Sequence, residues 1–345
     1  MQKKVLVVGS GRRVQNFILP AICYLGESYK IEGIYSKTER NHEYIRNTWG
    51  VPTSTNLNSF NLSEIDWIIV AVNLDAIPNL VKKLLSLGLS ERELFLDTPV
   101  LMSRDTHCLG DLREFKAVHT TEESFLLPYC MMAGNLIRKG FIGTLQRIWM
   151  FHSGFRYHAL ATIKGIVQQR YILRANFIRY GKTNIEMNLV FPNGVKATII
   201  EPRDYQIGRM LIAGSEGLIS DYDIDSDMYS CPIYRIGYRT SEQKIIGFTL
   251  NHKLCEANDL DRLFFKNIDP SMMPNSTIMN QLKIRALMEF FDLKRKGDRD
   301  SLYDYTEGLY DARFVDISTK FKCWYDVPVH LGFSILPAMS RFHLI

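Results

Sequence analysis

The sequence predicts an α/β domain built on a parallel sheet, joined to an α+β domain with an open, mostly antiparallel sheet. Three observations carry this. Short apolar runs alternate with amphipathic stretches through the first third of the chain, the pattern of parallel strands joined by crossover helices. A turn with two glycines, Gly9-Ser10-Gly11, separates the first apolar run from the first helical one. Beyond Lys139 the texture changes to hairpins, marked most clearly by Asn193-Gly194 between two strand-like runs. At 345 residues there is room for two cores, and the expected division is 1–122 and 123–345.

In chain order, a strand is expected at 5–8 and a helix at 13–25, kinked where Pro20 removes a backbone hydrogen bond. A strand at 31–35 leads to a helix at 39–49, which Thr38 can cap and Gly50 can end, with Pro52 just beyond. Next come a strand at 67–72 and a helix at 76–87 bracketed by Asp75 and Gly88. A strand at 94–96 and a short helix at 106–115 complete the first domain. The second opens with a helix at 128–139. Hairpins follow in "NIEMNLVFPNGVKATIIEP", "MLIAGSEGLIS" and "IYRIGYRTSEQKIIGFTL". A helix at 278–296 carries the apolar stripe Ile278, Leu282, Ala286, Phe290, and another is expected at 305–321. The apolar tail 324–345 is broken by Pro328, Gly332 and Pro337 and is expected to pack against the body.

Composition narrows the function classes. With 46% hydrophobic and 23% charged residues the chain reads as globular. Its net charge of +5, from 42 basic and 37 acidic residues, is dispersed, with the densest clusters at Lys82-Lys83 and Lys294-Arg295-Lys296. No nucleic-acid footprint is expected. The six cysteines show neither metal-ligand nor disulfide-framework spacing, so free thiols and no metal are expected. No apolar run approaches the ~20 residues of a membrane span, and the first residues lack a signal-peptide pattern. A cytoplasmic protein without a membrane partner is the expectation.

In "VGSGRRVQN", Gly9 permits a tight turn and Gly11 removes a side chain where a pyrophosphate would approach a helix N-terminus. Val14 stands where a third glycine would serve helix-to-strand packing, so the helix must stand slightly further off. Arg12 and Arg13 can add positive charge to Ser10 and its neighbours. About 20 residues past such a turn an NAD site presents a carboxylate to the ribose. Here the chain reads "YSKTER": Ser36, Lys37, Thr38 and Arg40 offer hydroxyls and cations, which suits the extra phosphate of NADP (as NADPH) better than NAD.

By order and spacing, these fragments resemble the Gfo/Idh/MocA family, the group that includes glucose-fructose oxidoreductase, inositol dehydrogenase and biliverdin reductase. "GSGRRVQNFILPAI" resembles its glycine turn and leucine-proline helix. "DWIIVAVN" resembles the strand reaching the nicotinamide, with Val72 and Asn73 at the cofactor. "LFLDTPVL" falls where the family has Glu-Lys-Pro. "TTEESFLLPYCMMAGNLIRKGFIGTLQRI" resembles the helix opening its second domain and carries Glu122. "FPNGVKATI" and "IAGSEGLISD" match its central hairpins. The resemblance implies a Rossmann domain, a small-molecule substrate, and a homodimer or homotetramer formed through the second-domain sheet.

It also implies where the chemistry departs. Asp97-Thr98-Pro99 puts threonine in place of the family's lysine, leaving Asp97 for a nicotinamide ribose hydroxyl. "SGFRYHALATIKG" keeps His158 as the proton carrier, with Gly154 where the family has aspartate. Tyr157 is a further catalytic candidate, and Lys164 and Arg156 are weaker ones. Two readings follow. One is an NADP-dependent oxidoreductase acting on a C=N or C=O carbon of a small polar metabolite; the other is a non-catalytic NADP-binding homologue serving as sensor or assembly partner.

Overall fold

The computed structural model describes residues 2–101, 103–154, 156–180, 184–204, 208–224, 230–242, 244–255, 277–297, 305–320 and 327–328. They form two compact units. One holds the chain up to Glu123 and a later helical return that ends at Arg313; the other begins at Ser124 and resumes at Phe314.

The first unit contains a six-stranded, all-parallel sheet. Its strands are β1 (Lys3–Val8), β2 (Tyr29–Tyr35), β3 (Thr53–Ser54), β4 (Trp67–Val70), β5 (Glu93–Asp97) and β6 (Ala117–Thr121), in spatial order β3-β2-β1-β4-β5-β6. The apolar alternation does not predict β3, which is too short to show a period, or β6, which is mostly polar. Crossovers carry α1 (Leu19–Leu25), α2 (His42–Trp49), α3 (Ile77–Ser86) and α4 (Leu109–Leu112).

The first crossover is not the single kinked helix expected at 13–25. Val14–Ile18 forms a π-helical turn, and Pro20 lies in the first turn of α1, where a missing N–H costs least. The proline marks a seam between two helical geometries. Nor does Thr38 cap α2: the N-cap is Asn41. The Ser36 hydroxyl donates to the Thr38 carbonyl at 2.7 Å, which shapes the turn before the helix.

The sheet is buried on both faces, as parallel sheets are. Leu6, Val8, Ile68, Val70, Leu94 and Leu96 pack with Leu80, Val81 and Leu84 of α3. On the other face Trp67 and Phe95, with ring centroids 4.5 Å apart, meet Phe290 and Phe291 of the late helix Ile278–Arg295. Tyr29 Oη donates to the Phe291 carbonyl at 2.7 Å. Phe290 and Phe291 are 1% and 0% exposed, each burial contributing about 2–3 kcal/mol. A linear division at residue 122 therefore misassigns this helix. It sits in the second part of the sequence but closes the core of the first unit.

The second unit carries a ten-stranded sheet in the order β15-β14-β13-β12-β11-β7-β10-β9-β8-β16. Its strands are β7 (Leu145–Phe151), β8 (Arg174–Tyr180), β9 (Asn184–Val190), β10 (Lys196–Glu201), β11 (Arg209–Gly214), β12 (Leu218–Ser220), β13 (Ile233–Ser241), β14 (Lys244–Leu250), β15 (Lys253–Leu254) and β16 (Val327–Pro328). Pairing is mostly antiparallel, with β7/β10 and β12/β13 parallel. Helices α5 (Pro128–Arg138) and α6 (Arg156–Val167) pack together, and α6 lies against β7 and β10. The remaining helices are α7, the Ile278–Arg295 segment already described, and α8 (Tyr305–Lys320).

The β9–β10 turn differs in detail from a two-residue Asn-Gly hairpin. The Gly194 N–H donates to the Phe191 carbonyl at 2.9 Å, so Pro192 and Asn193 are the central residues and Gly194, at φ 83°, is the third loop residue. Proline presets the first position of such a turn, and only glycine adopts the last without strain. Of the tail, Val327–Pro328 pairs with β8. The rest of 324–345 lies outside the described residues, as do Phe321 and Cys323. Among the described residues no helix is long and apolar enough to cross a membrane, and no cluster of His, Cys, Asp or Glu could hold a metal ion.

Candidate functional site

Parallel pairing aligns the strand ends of the first sheet. Val8 stands opposite Tyr35 and Val70, Val70 opposite Leu96, and Asp97 opposite Thr121. Because β2 and β4 flank β1 on opposite sides, the chain reverses its direction of travel at β1, where open α/β sheets bind ligands.

Gly9 turns the chain at that point with φ 119°, and a Cβ there would lie 2.2 Å from the Ala71 carbonyl oxygen. Its N–H bonds the Tyr35 carbonyl at 2.8 Å, locking the turn to β2. Gly11 is different: a Cβ there would meet nothing within 4 Å. No protein packing requires a glycine at this position, and the open space is what a close-approaching pyrophosphate needs. No side chain caps the helical start, so its first amides have no side-chain acceptor there. Gln15 Nε2 and Asn41 Nδ2 both donate to the Ser10 carbonyl at 2.6 Å and hold the turn from either side. Val14 is fully buried, and the wider π turn begins at this residue, which accommodates the side chain a third glycine would lack.

A cleft of about 880 Å³ opens over this edge. Of the residues the sequence nominates, Gly9, Ser10, Gly11, Arg12, Arg13, Ser36, Lys37, Val72, Asn73 and Asp97 line it. Thr38, Arg40 and Glu122 do not. Thr38 and Arg40 lie exposed beyond the Ser36 turn, and Glu122 is 0% exposed. Ser36 Oγ also lies 2.7 Å from Nε2 of His42, a buried ring whose pKa is lowered by burial and by Arg46. Tyr35, Asn79 and Lys83 line the cleft without having been signalled by any motif.

Arg13 has a more specific role than adding charge. Its Nη1 and Nη2 donate to the two Glu123 oxygens at 2.8 and 2.7 Å, and Nε donates to both Asp97 oxygens at 3.1 Å. The fork thus ties the glycine turn to the ends of β5 and β6. Burial pushes the Glu123 carboxyl up, but the Arg13 charge and hydrogen bonds outweigh it and hold it below the usual carboxylate range. For Asp97 burial wins, and with Glu123 and Glu122 nearby its pKa is raised despite Arg13. Glu123, not Glu122, is the carboxylate that serves the turn. Thr98 Oγ1 donates to the Thr121 carbonyl at 3.1 Å, so its proton is engaged within the fold.

In the second unit, Glu201 at the end of β10 accepts the Arg156 N–H at 2.7 Å and pairs with the Arg156 guanidinium, pinning the start of α6. Tyr157 and His158 follow in that first helical turn, both half-buried. Burial raises the Tyr157 pKa and keeps its hydroxyl protonated. Lys164 is 1% exposed near the end of α6. Gly154 is buried, with Ala159 at 3.4 Å from where its Cβ would stand.

Comparison with known proteins agrees with this architecture. Residues 3–120 match the Gfo/Idh/MocA model, described as an oxidoreductase family with an NAD-binding Rossmann fold. A search of curated proteins gives no match. Among solved structures, an oxidoreductase from Thermotoga maritima superposes with a TM-score of 0.66 at 14% identity, covering 96% of this chain and 99% of that one. A levoglucosan dehydrogenase in complex with NADH and levoglucosan gives 0.66 at 13% identity, covering 95% and 100%. The WlbA dehydrogenase of Bordetella pertussis, in complex with NADH and UDP-GlcNAcA, gives 0.63 at 12% identity, covering 95% and 98%. At these identities the likeness is one of fold.

Proposed function

The first domain of this chain belongs to the Gfo/Idh/MocA oxidoreductases, and from that premise we propose an NADP-dependent oxidoreductase that moves hydride between the nicotinamide and a C=N or C=O carbon of a small polar metabolite. The observation that carries the reading is the pair of glycines: Gly9 is demanded by the fold, whereas Gly11 opens on the cleft and is explained by a ligand. The nicotinamide, when bound, supplies the hydride. The amides of the turn and Arg12 take the pyrophosphate, and Lys37 faces the ribose end, where β2 offers no carboxylate. Asp97 holds a ribose hydroxyl, with Arg13 fixing its orientation. On the family resemblance His158 is the proton carrier, and Tyr157, whose hydroxyl burial keeps protonated, is a further catalytic candidate. Thr98, its hydroxyl turned to the Thr121 carbonyl, adds no cation. Other proteins of this fold act on sugars, so hydroxylated carbonyl compounds are the first class to test, with imines beside them.

The same reading takes the active form to be a cytoplasmic homodimer or homotetramer joined through the second sheet, on which Tyr180, Tyr238 and Ile246 are exposed. Light scattering tests the assembly.

A second reading, a cofactor-binding sensor without turnover, draws support from Thr98 and from the buried Gly154. Nicotinamide fluorescence during incubation with candidate carbonyls and imines separates the two. Steady turnover that His158→Ala lowers by about 10²-fold supports the enzyme; tight NADPH binding without turnover across the panel supports the sensor.

A further inference from the structure

We infer that Lys83, on α3, is the second cation of a ribose 2'-phosphate subsite in the dinucleotide cleft. This rests on the NADP reading above and adds a residue that no motif marks. Lys83 lines the cleft with Tyr35, Ser36 and Lys37. Its ammonium lies 4.9 Å from the Tyr35 ring centroid and donates to Tyr35 Oη at 3.2 Å, which fixes it at the end of β2. That is the ribose end; the pyrophosphate turn belongs to β1.

Charge bookkeeping points to the ligand. Two carboxylates line the cleft: Asp75 pairs with Arg104, and Asp97 with Arg13. Among the described residues, no ion pair involves Lys37 or Lys83. Two ammonium groups lining one cleft, with no ion pair of their own and near a strand end without a carboxylate, repel any added cation. They attract a compact anion that both can reach. A neutral ribose diol offers them nothing comparable, whereas a phosphate monoester accepts hydrogen bonds from both and neutralises the pair. Tyr35 is the positioning element: by holding the Lys83 stem and head, it reduces the entropy lost when the ammonium meets the phosphate.

The test is calorimetric titration of the full chain with NADPH and NADH, read as the ratio of the two Kd values. The unmodified protein is expected to favour NADPH. Lys83→Ala and Lys83→Gln should each reduce that preference about ten-fold, the low end for a charge-assisted contact at an exposed site. Lys82→Ala, next in sequence but off the cleft, should keep the parental ratio. If both Lys83 variants keep that ratio, Lys83 merely covers Tyr35 and the inference fails while the NADP reading stands. If Lys82→Ala lowers it equally, a diffuse field replaces a built subsite and the inference also fails. Equal affinity of the unmodified protein for both cofactors overturns the inference together with the reading it rests on.

Discussion

Replacing Arg13 by alanine should be among the most destabilising single changes in the first unit. The guanidinium makes a two-pronged contact with Glu123 at 2.8 and 2.7 Å and a further contact with Asp97 at 3.1 Å. Glu123 has 1% side-chain exposure, against 19% for Asp97. Without the arginine, water can solvate Asp97 but cannot reach Glu123. Removing one partner of a buried pair costs about 3–5 kcal/mol, and the partial exposure of Arg13 and Asp97 places this case near 3. Glu123→Gln should cost less, about 1 kcal/mol, because the amide oxygen still accepts and Arg13 keeps Asp97. In the double variant no buried charge is stranded, so its loss should fall short of the sum of the two singles by about 1.5 kcal/mol or more. Native-state hydrogen exchange at β1 and β4 amides, which open only with the first unit, gives the free energies. A loss below about 0.5 kcal/mol for Arg13→Ala, the range of an ordinary surface substitution, would refute the reasoning. Acid adds a further check. Glu123 has a depressed folded pKa, so its contribution is present above the ordinary glutamate value and is lost as pH falls through the folded one. Asp97, with a raised folded pKa, acts oppositely: its contribution is present below the ordinary aspartate value and is lost as pH rises through the folded one. The penalty of Arg13→Ala should therefore shrink in acid as both carboxyls take up protons.

The two glycines of the turn should separate in experiment. Gly9→Ala forces a Cβ to 2.2 Å from the Ala71 oxygen at φ 119° and should lower the melting temperature sharply. Gly11→Ala, whose Cβ would meet nothing within 4 Å, should keep the parental melting temperature but weaken NADPH binding at least ten-fold in calorimetry. Thr98→Lys restores a cation whose charge would oppose a protonated imine in the transition state and favour a developing alkoxide. If the native substrate is an imine, steady-state kinetics of that variant should show suppressed turnover, and a clear rise with a ketone or sugar as the native substrate would end the imine preference.

What could be read in advance was whatever short-range chemistry encodes. The glycine turn was legible because the residues that make it are adjacent and glycine alone tolerates Gly9's backbone. Lys37 was legible as a cleft residue because it lies two positions past the end of β2. The strands β1, β2, β4 and β5 announced themselves by apolar runs, while the mostly polar β6 and the short β3 did not. The Asn193-Gly194 hairpin lies where its sequence signal stands, but with Pro192 and Asn193 as its central residues.

The wiring of the site came only from tertiary structure. Lys83 meets Tyr35 across 48 residues, Asn41 reaches Ser10 across 31, and Arg13 reaches Glu123 across 110. Nothing local distinguishes Glu123 from Glu122, both buried, or Lys83 from Lys82, both exposed; tertiary packing decides that Glu123 meets Arg13 and Lys83 meets Tyr35. Phe290 and Phe291 appear in sequence as an ordinary apolar stretch of a late helix, and only packing reveals that they close the core of the first unit over Trp67 and Phe95. A sequence by itself determines which backbone conformations and faces each segment prefers, because those depend on neighbours a few bonds or one helical turn away. Which distant charges meet depends on how strands pair, and that is settled by the burial of the whole sheet.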